Sequence, residues 1–193
     1  MATVTLTPPT YSKRNHKISL KRNPEWVEVS DKAHAIATYY IPYHLRNSVE
    51  QKSLRGLPKS YLIPPQQPPE LFTFIAKLCT HMEAKNSSFF TDLPERLNVR
   101  VDNSKTKFLG LCKETFADKV VNWGRVISIF TVAGCFALHF LKKNQLSTVQ
   151  KIPLWVQEFI DQELADWIIE QGGWEDAGWL LSQKNCHNLF QLG

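Results

Sequence analysis

Apolar residues along this chain recur at helical rather than alternating spacing, and the stretches between them are polar. From Ser30 to Arg46, residues Ala33, Ile36, Ala37, Tyr40 and Ile41 share one face of a helix. Ser30-Asp31 offers a cap at its start, and Pro42 is expected to kink or end it. A second stripe, Leu71, Phe72, Ile75, Leu78, Cys79 and Met82, follows Pro69-Glu70, a pair suited to a first turn. Phe89, Phe90, Leu93 and Leu97 predict short helical pieces broken at Pro94. Asp102-Asn103-Ser104 predicts the start of another helix, with Phe108, Leu111, Cys112 and Phe116 on one face. The longest apolar run then predicts a central helix from about Trp123 to Lys142. Trp155, Val156, Phe159, Ile160 and Leu164 mark a helix from Ile152 to about Asp166, with Pro153 tolerated in its first turn. A short helix after it ends at Gly172-Gly173, and one or two last turns lie between Trp174 and Phe190. The expected fold is all-α, about eight helices around a buried hydrophobic centre.

The central helix is apolar on nearly every side, as in the middle of a bundle or within a membrane. Its uncharged stretch, Val126 to Leu141, is 16 residues long, short of the roughly 20 that a spanning helix needs. Arg125 at one end and Lys142-Lys143 at the other favour a core helix, with insertion kept as a second state. Residues 47–69 are polar and rich in proline (Pro58, Pro64, Pro65, Pro68, Pro69) and read as a mobile loop between the first and second helices. Its serines, Ser48, Ser53 and Ser60, are read as part of an inert spacer. Residues 1–23 have no helical period and read as a disordered leader, leaving 24–193 as a single helical domain.

Charge sharpens this division. The net charge is +5, and Lys13, Arg14, Lys17, Lys21 and Arg22 lie in the leader with no acid beside them. Setting those five aside leaves 18 basic against 18 acidic residues, so the body is near neutral. Nucleic-acid binding would have to rest on the leader alone and is not expected. The four cysteines, Cys79, Cys112, Cys135 and Cys186, are dispersed, and no apolar secretory leader precedes them. Reduced thiols in the cytosol are the expectation. Cys79 and His81 alone make a poor zinc site. With no phosphate-cradling loop, nucleophile elbow or HExxH, no catalytic residue, metal or cofactor is expected.

Chemistry concentrates at Asn122-Trp123-Gly124-Arg125, which opens the central helix. A cation starting a core helix is costly to bury unpaired, so Arg125 belongs at a groove rim or in an ion pair. Further on comes Trp167-Ile-Ile-Glu-Gln-Gly-Gly-Trp-Glu-Asp-Ala-Gly-Trp179. In sequence, order and spacing the two resemble the first and second homology motifs of the Bcl-2 family of apoptosis regulators. The resemblance implies a Bcl-2-like bundle with a hydrophobic groove. That groove would receive amphipathic BH-3 helices of effector-type and sensor-type pro-apoptotic relatives.

Carried over residue by residue, the resemblance implies that Arg125 pairs bidentately with a ligand aspartate. It implies that Asn122 sets an amide beside that pair and that Gly124 lets the ligand backbone approach. Met82, Phe90, Leu93 and Leu97 would form one apolar wall, with Phe108, Leu111 and Glu114 on the opposite rim. Ile127, Ser128 and Val132 would form the floor. Trp123 is expected to pack beneath it, and Trp167, Gly172, Gly173 and Trp174 to hold the second motif together.

The departures from the family pattern bear on function. Where the family keeps its own BH-3 motif, a Leu followed by Gly-Asp, this chain has Ile75-Ala-Lys-Leu-Cys-Thr-His-Met82. Cys79 replaces the small residue and Thr80 the acid, which would make this helix a poor ligand for another groove. That favours a pro-survival receptor restraining mitochondrial permeabilisation; the alternative is a membrane-permeabilising effector of the same family. Thr131-Val132-Ala133-Gly134 stands where an aromatic and two glycines are common, so one pocket would be wider. The first helix matches the fourth homology motif only loosely. The chain reaches Gly193 with no apolar tail, leaving a removed anchor and a soluble protein both open. The expected address is the cytosol and the cytoplasmic face of the mitochondrial outer membrane.

Overall fold

The computed structural model describes residues 23–175. The expected basic leader and the final turns beyond Glu175 lie outside them. Among the described residues every regular element is helical.

Helix α1, Pro24–Ser48, starts well before the expected Ser30-Asp31 cap. Asn23 caps it, its side chain accepting from the Glu25 N–H at 3.3 Å, and Pro24 occupies the first turn. Val29 sits four residues ahead of Ala33, so the apolar stripe continues back into that turn. Pro42 does not end α1. The helix continues to Ser48, and the Val49 N–H reaches the Leu45 carbonyl at 3.1 Å. A proline there removes one backbone bond and costs about 3 kcal/mol. Burial of Tyr40, Ile41, His44 and Leu45 on both sides of it offsets that loss.

The segment 47–69 corrects the loop expectation in its first half. It carries a 3-10 turn, Gln51–Leu54, and a one-turn helix α2, Lys59–Leu62. Leu54, Leu57 and Tyr61 are buried in the core, and Arg46 donates to the carbonyls of Ser60 at 3.0 Å and Tyr61 at 3.4 Å. Three apolar anchors are enough to fold a proline-rich stretch onto the bundle. The residues between these anchors, and the stretch 63–67 around Pro64-Pro65, stand exposed.

Helix α3, Glu70–Lys85, is followed by the single turns α4, Ser87–Phe90, and α5, Leu93–Arg96. The break falls at Asp92, in the left-handed region at φ 52°, while Pro94 helps to start α5. Helix α6, Ser104–Thr115, follows; the Asn103 side chain accepts from the Arg100 N–H at 2.8 Å instead of capping it. The central helix α7, Trp123–Lys142, has the expected bounds. The short α8, Leu146–Val149, follows it. Helices α9, Ile152–Glu163, and α10, Ala165–Glu170, are the last among the described residues, and Gly172 and Gly173 end α10 with positive φ.

Helices α1, α3, α5, α6, α8 and α9 all pack on α7, which is why α7 is apolar all round. The contact between α1 and α7 is close. A Cβ added at Gly134 would lie 2.9 Å from the Tyr40 hydroxyl and 3.0 Å from His44 Cδ2. At its far end, His139 is buried and ties α7 to the α5 region. Its Nδ1 lies 2.7 Å from Glu95 Oε1 and its Nε2 3.2 Å from the Val99 carbonyl.

Candidate functional site: the rim at Arg125

The start of α7 is built by Asn122. Its Oδ1 accepts from the Arg125 N–H at 2.9 Å, a side-chain cap that fixes where the helix begins. Helix capping thus occupies the amide oxygen of Asn122. Trp123 turns inward and is buried. Its ring meets Trp167 at 5.1 Å and Trp174 at 5.7 Å, while Trp174 also meets Phe130 at 5.9 Å. The Trp174 ring N–H donates to the Val29 carbonyl at 2.9 Å. The two sequence motifs therefore meet in space as one tryptophan cluster pinned to α1.

Arg125, one turn into the helix, faces the rim with its side chain 14% exposed. It is paired within its own chain. Both terminal nitrogens hold the Asp118 carboxylate, Nη1 on Oδ1 and Nη2 on Oδ2, the latter at 2.7 Å. Nη1 also donates to the Val120 carbonyl at 2.9 Å. These hydrogen bonds hold the Asp118 carboxyl down to about 2 and raise Arg125 above its ordinary value. Asp118 lies in the turn between α6 and α7, seven residues before Arg125. No hydrophobic period marks it, and an acid seven places ahead of the arginine was the one available signal.

The inferred groove residues divide by burial. Asn122 and Glu114 are exposed, and Leu97, Leu111 and Arg125 are partly so. Gly124, Met82, Phe90, Leu93, Phe108, Ile127, Ser128 and Val132 are buried. Among the described residues, α3, α5 and α6 pack directly on α7, which buries these side chains. Met82 lies against α7, where the Thr131 hydroxyl is 3.7 Å from its sulfur and 3.3 Å from the Ile127 carbonyl. Phe108 is core rather than rim, edge-on to Phe136 at 5.5 Å and tilted against Trp155 at 6.0 Å. Ser128 turns its hydroxyl back to the Arg125 carbonyl at 2.6 Å. Exposed apolar side chains near these elements are Phe89 on α4 and Val120 beside Asp118. A cleft of about 260 Å³ lies elsewhere, between α1 and the α10 end, lined by Glu28, Lys32, Ile169 and Trp174.

On α3, Cys79 is buried with its thiol 3.8 Å from the Ile127 carbonyl. The exposed Thr80 turns its hydroxyl back to the Ala76 carbonyl at 3.0 Å. Among the described residues no three metal-ligating side chains converge.

A model of the Bcl-2 family of apoptosis regulator proteins matches residues 75–174, which contain the first motif, the whole of α7 and the second motif as far as Trp174. The chain belongs to the Bcl-2 family. Among curated Bcl-2 relatives, Bcl-2-related protein A1 of Bos taurus is 32% identical over 49% of this chain and 63% of that protein. Human Bcl-2-like protein 1 is 30% identical over 45% of this chain and 36% of its own length. The chain thus spans less than two thirds of the length of these relatives. The Bcl-2 fold extends further than the sequence match. Chicken BOK superposes with a TM-score of 0.67 at 21% identity, covering 82% of this chain and 99% of that one. The zebrafish pro-survival protein NRZ in complex with Bad BH-3 gives 0.64 at 22% identity, covering 81% and 97%.

Proposed function

We propose that this Bcl-2 family member is a pro-survival receptor that captures amphipathic BH-3 helices along the face opened by Arg125. The observation that carries the reading is the bidentate grip of Arg125 on a carboxylate. The guanidinium is already oriented, partly desolvated and able to hold an acid in that place. A ligand helix bringing an aspartate to the rim would take the position of Asp118, and its apolar side chains would part α3, α5 and α6 from α7. The Bad BH-3 complex of NRZ supports the same occupant here. Helix α3 supports the receptor role over that of ligand. Its Cys79 and Thr80 offer no carboxylate to another arginine, and its apolar face is packed on α7. Binding at the mitochondrial outer membrane belongs to the same proposal.

Calorimetric titration of a BH-3 helix peptide, beside the same peptide with its aspartate changed to alanine, tests the reading. Arg125→Ala is expected to weaken binding of the acidic peptide about tenfold, some 1.4 kcal/mol, and to erase the difference between the two peptides. An unchanged affinity in Arg125→Ala would remove Arg125 from the site.

The effector reading draws on one feature. Helix α7 is 20 residues long and apolar enough to cross a membrane by length and composition. Its burial in the bundle satisfies the same composition. Dye release from liposomes by this protein and an activating peptide alone would favour the effector role.

A further inference from the structure

We propose that Asp118 is a specificity-determining residue of the helix-binding site. It keeps Arg125 occupied in the free protein, so an incoming helix exchanges one carboxylate for another and gains only the difference. This inference rests on the receptor reading above.

The turn before α7 is shaped to deliver that carboxylate. The Val120 N–H donates to Asp118 Oδ1 at 3.0 Å, and the same oxygen accepts from Arg125 Nη1. Lys119, between them, takes a left-handed conformation at φ 62°. This folds the chain back so that Val120 offers its carbonyl to Arg125 at 2.9 Å as well. A non-glycine residue in that region carries a small conformational cost, and here the backbone it buys places two acceptors on one guanidinium.

The two partners differ in exposure, and that difference sets the direction of exchange. Asp118 is 51% exposed at its side chain, against 14% for Arg125. Asp118 can leave to water at little loss, whereas Arg125 left alone would be a partly desolvated, unpaired cation. A ligand carboxylate therefore substitutes readily, but against a competitor tethered seven residues away. A helix with a neutral residue at that position leaves the Asp118–Arg125 pair in place and forfeits only the net gain of that exchange. The site should consequently discriminate less between acidic and neutral ligands than an unoccupied arginine would, and Asp118 is the residue that makes it so.

The test is a four-way calorimetric comparison of wild type and Asp118→Asn with the acidic BH-3 peptide and its Asp→Ala form. The asparagine keeps an oxygen for the Val120 N–H but surrenders the charge. Asp118→Asn is expected to bind the acidic peptide about fivefold tighter and the alanine peptide within about twofold of wild type. Equal affinity of both proteins for the acidic peptide would overturn the inference while leaving the receptor reading intact. So would a common shift for both peptides, which would mark a general effect of the turn. Failure of wild type to bind either peptide would overturn the receptor reading and this inference with it. Thermal melts establish that the variant folds. Asp118→Ser, whose hydroxyl can also accept from the Val120 N–H, carries the same expectation if the asparagine form does not fold.

Discussion

At the scale of single residues, what a side chain can do here follows from where its neighbours leave it. Cys79, Cys112 and Cys135 are all buried and reduced. Burial pushes the Cys79 thiol up to about 12 and the other two well above their ordinary value. Since the thiolate is the nucleophile, these three are inert in the folded protein. Alkylation followed by mass spectrometry should leave them unmodified under native conditions and label them once denaturant is added. Rapid native labelling of Cys79 would mean that α3 leaves α7 far more often than its packing implies. Arg125 shows the opposite case. Its type and place in the motif were legible in the sequence, and so was the alternative of an ion pair. The partner was not, because a seven-residue return through a left-handed Lys119 leaves no mark in hydrophobic periodicity.

At the scale of elements, caps and close approaches determine the bundle. The bounds of α7 were readable because an asparagine precedes an uninterrupted apolar run and two lysines close it. The start of α1 was misplaced because Ser30-Asp31 resembles a cap as well as Asn23-Pro24 does. Tertiary packing decided between them, burying Ser30 and drawing Asp31 to Gln157 of α9 at 3.2 Å. The α1–α7 contact depends on a missing side chain. A methyl group at Gly134 would meet the Tyr40 hydroxyl and the His44 ring, both held by the core. Gly134→Ala is therefore expected to destabilise the fold by roughly 1–3 kcal/mol, despite the better helix propensity of alanine. A thermal or urea melt would check it, and a stabilised variant would show that α1 can withdraw without loss.

Across the whole molecule, burial of titratable groups between helices sets the response to acid. His44 lies at the junction of α1, α3 and α7, its Nδ1 3.4 Å from Glu83 Oε2. Desolvation lowers it from 6.5 to about 4. The folded state then binds fewer protons at this site than the unfolded chain. Its contribution is fully present above pH 6.5 and is lost as pH falls through about 4. The loss amounts to roughly 3 kcal/mol over that window. Burial raises Glu83, which has the reverse sign. Its folded pKa lies above the ordinary 4.5, so its contribution is present below that value and lost as pH rises through the raised one. Stability measured by melting from pH 7 to pH 4.5 should fall, and His44→Phe should flatten much of that slope. An identical slope in the variant would place the acid sensitivity elsewhere.

Two kinds of information separate at this scale. Sequence alone determined that the chain is helical, which stripes face inward, and where the central helix lies, because those depend on local spacing and on caps a few residues away. It also carried the family resemblance, because the two motifs are contiguous strings. Tertiary structure alone decided that the motifs meet as a cluster of Trp123, Trp167 and Trp174. It likewise decided that Leu54, Leu57 and Tyr61 draw a proline-rich segment into the core. Most of the residues inferred to line the groove are buried by the same packing. Apolar periodicity says that a residue avoids water, and it is silent on whether a neighbouring helix or a ligand provides the cover. For Arg125 that cover is Asp118, brought there by a turn whose geometry exists only in three dimensions.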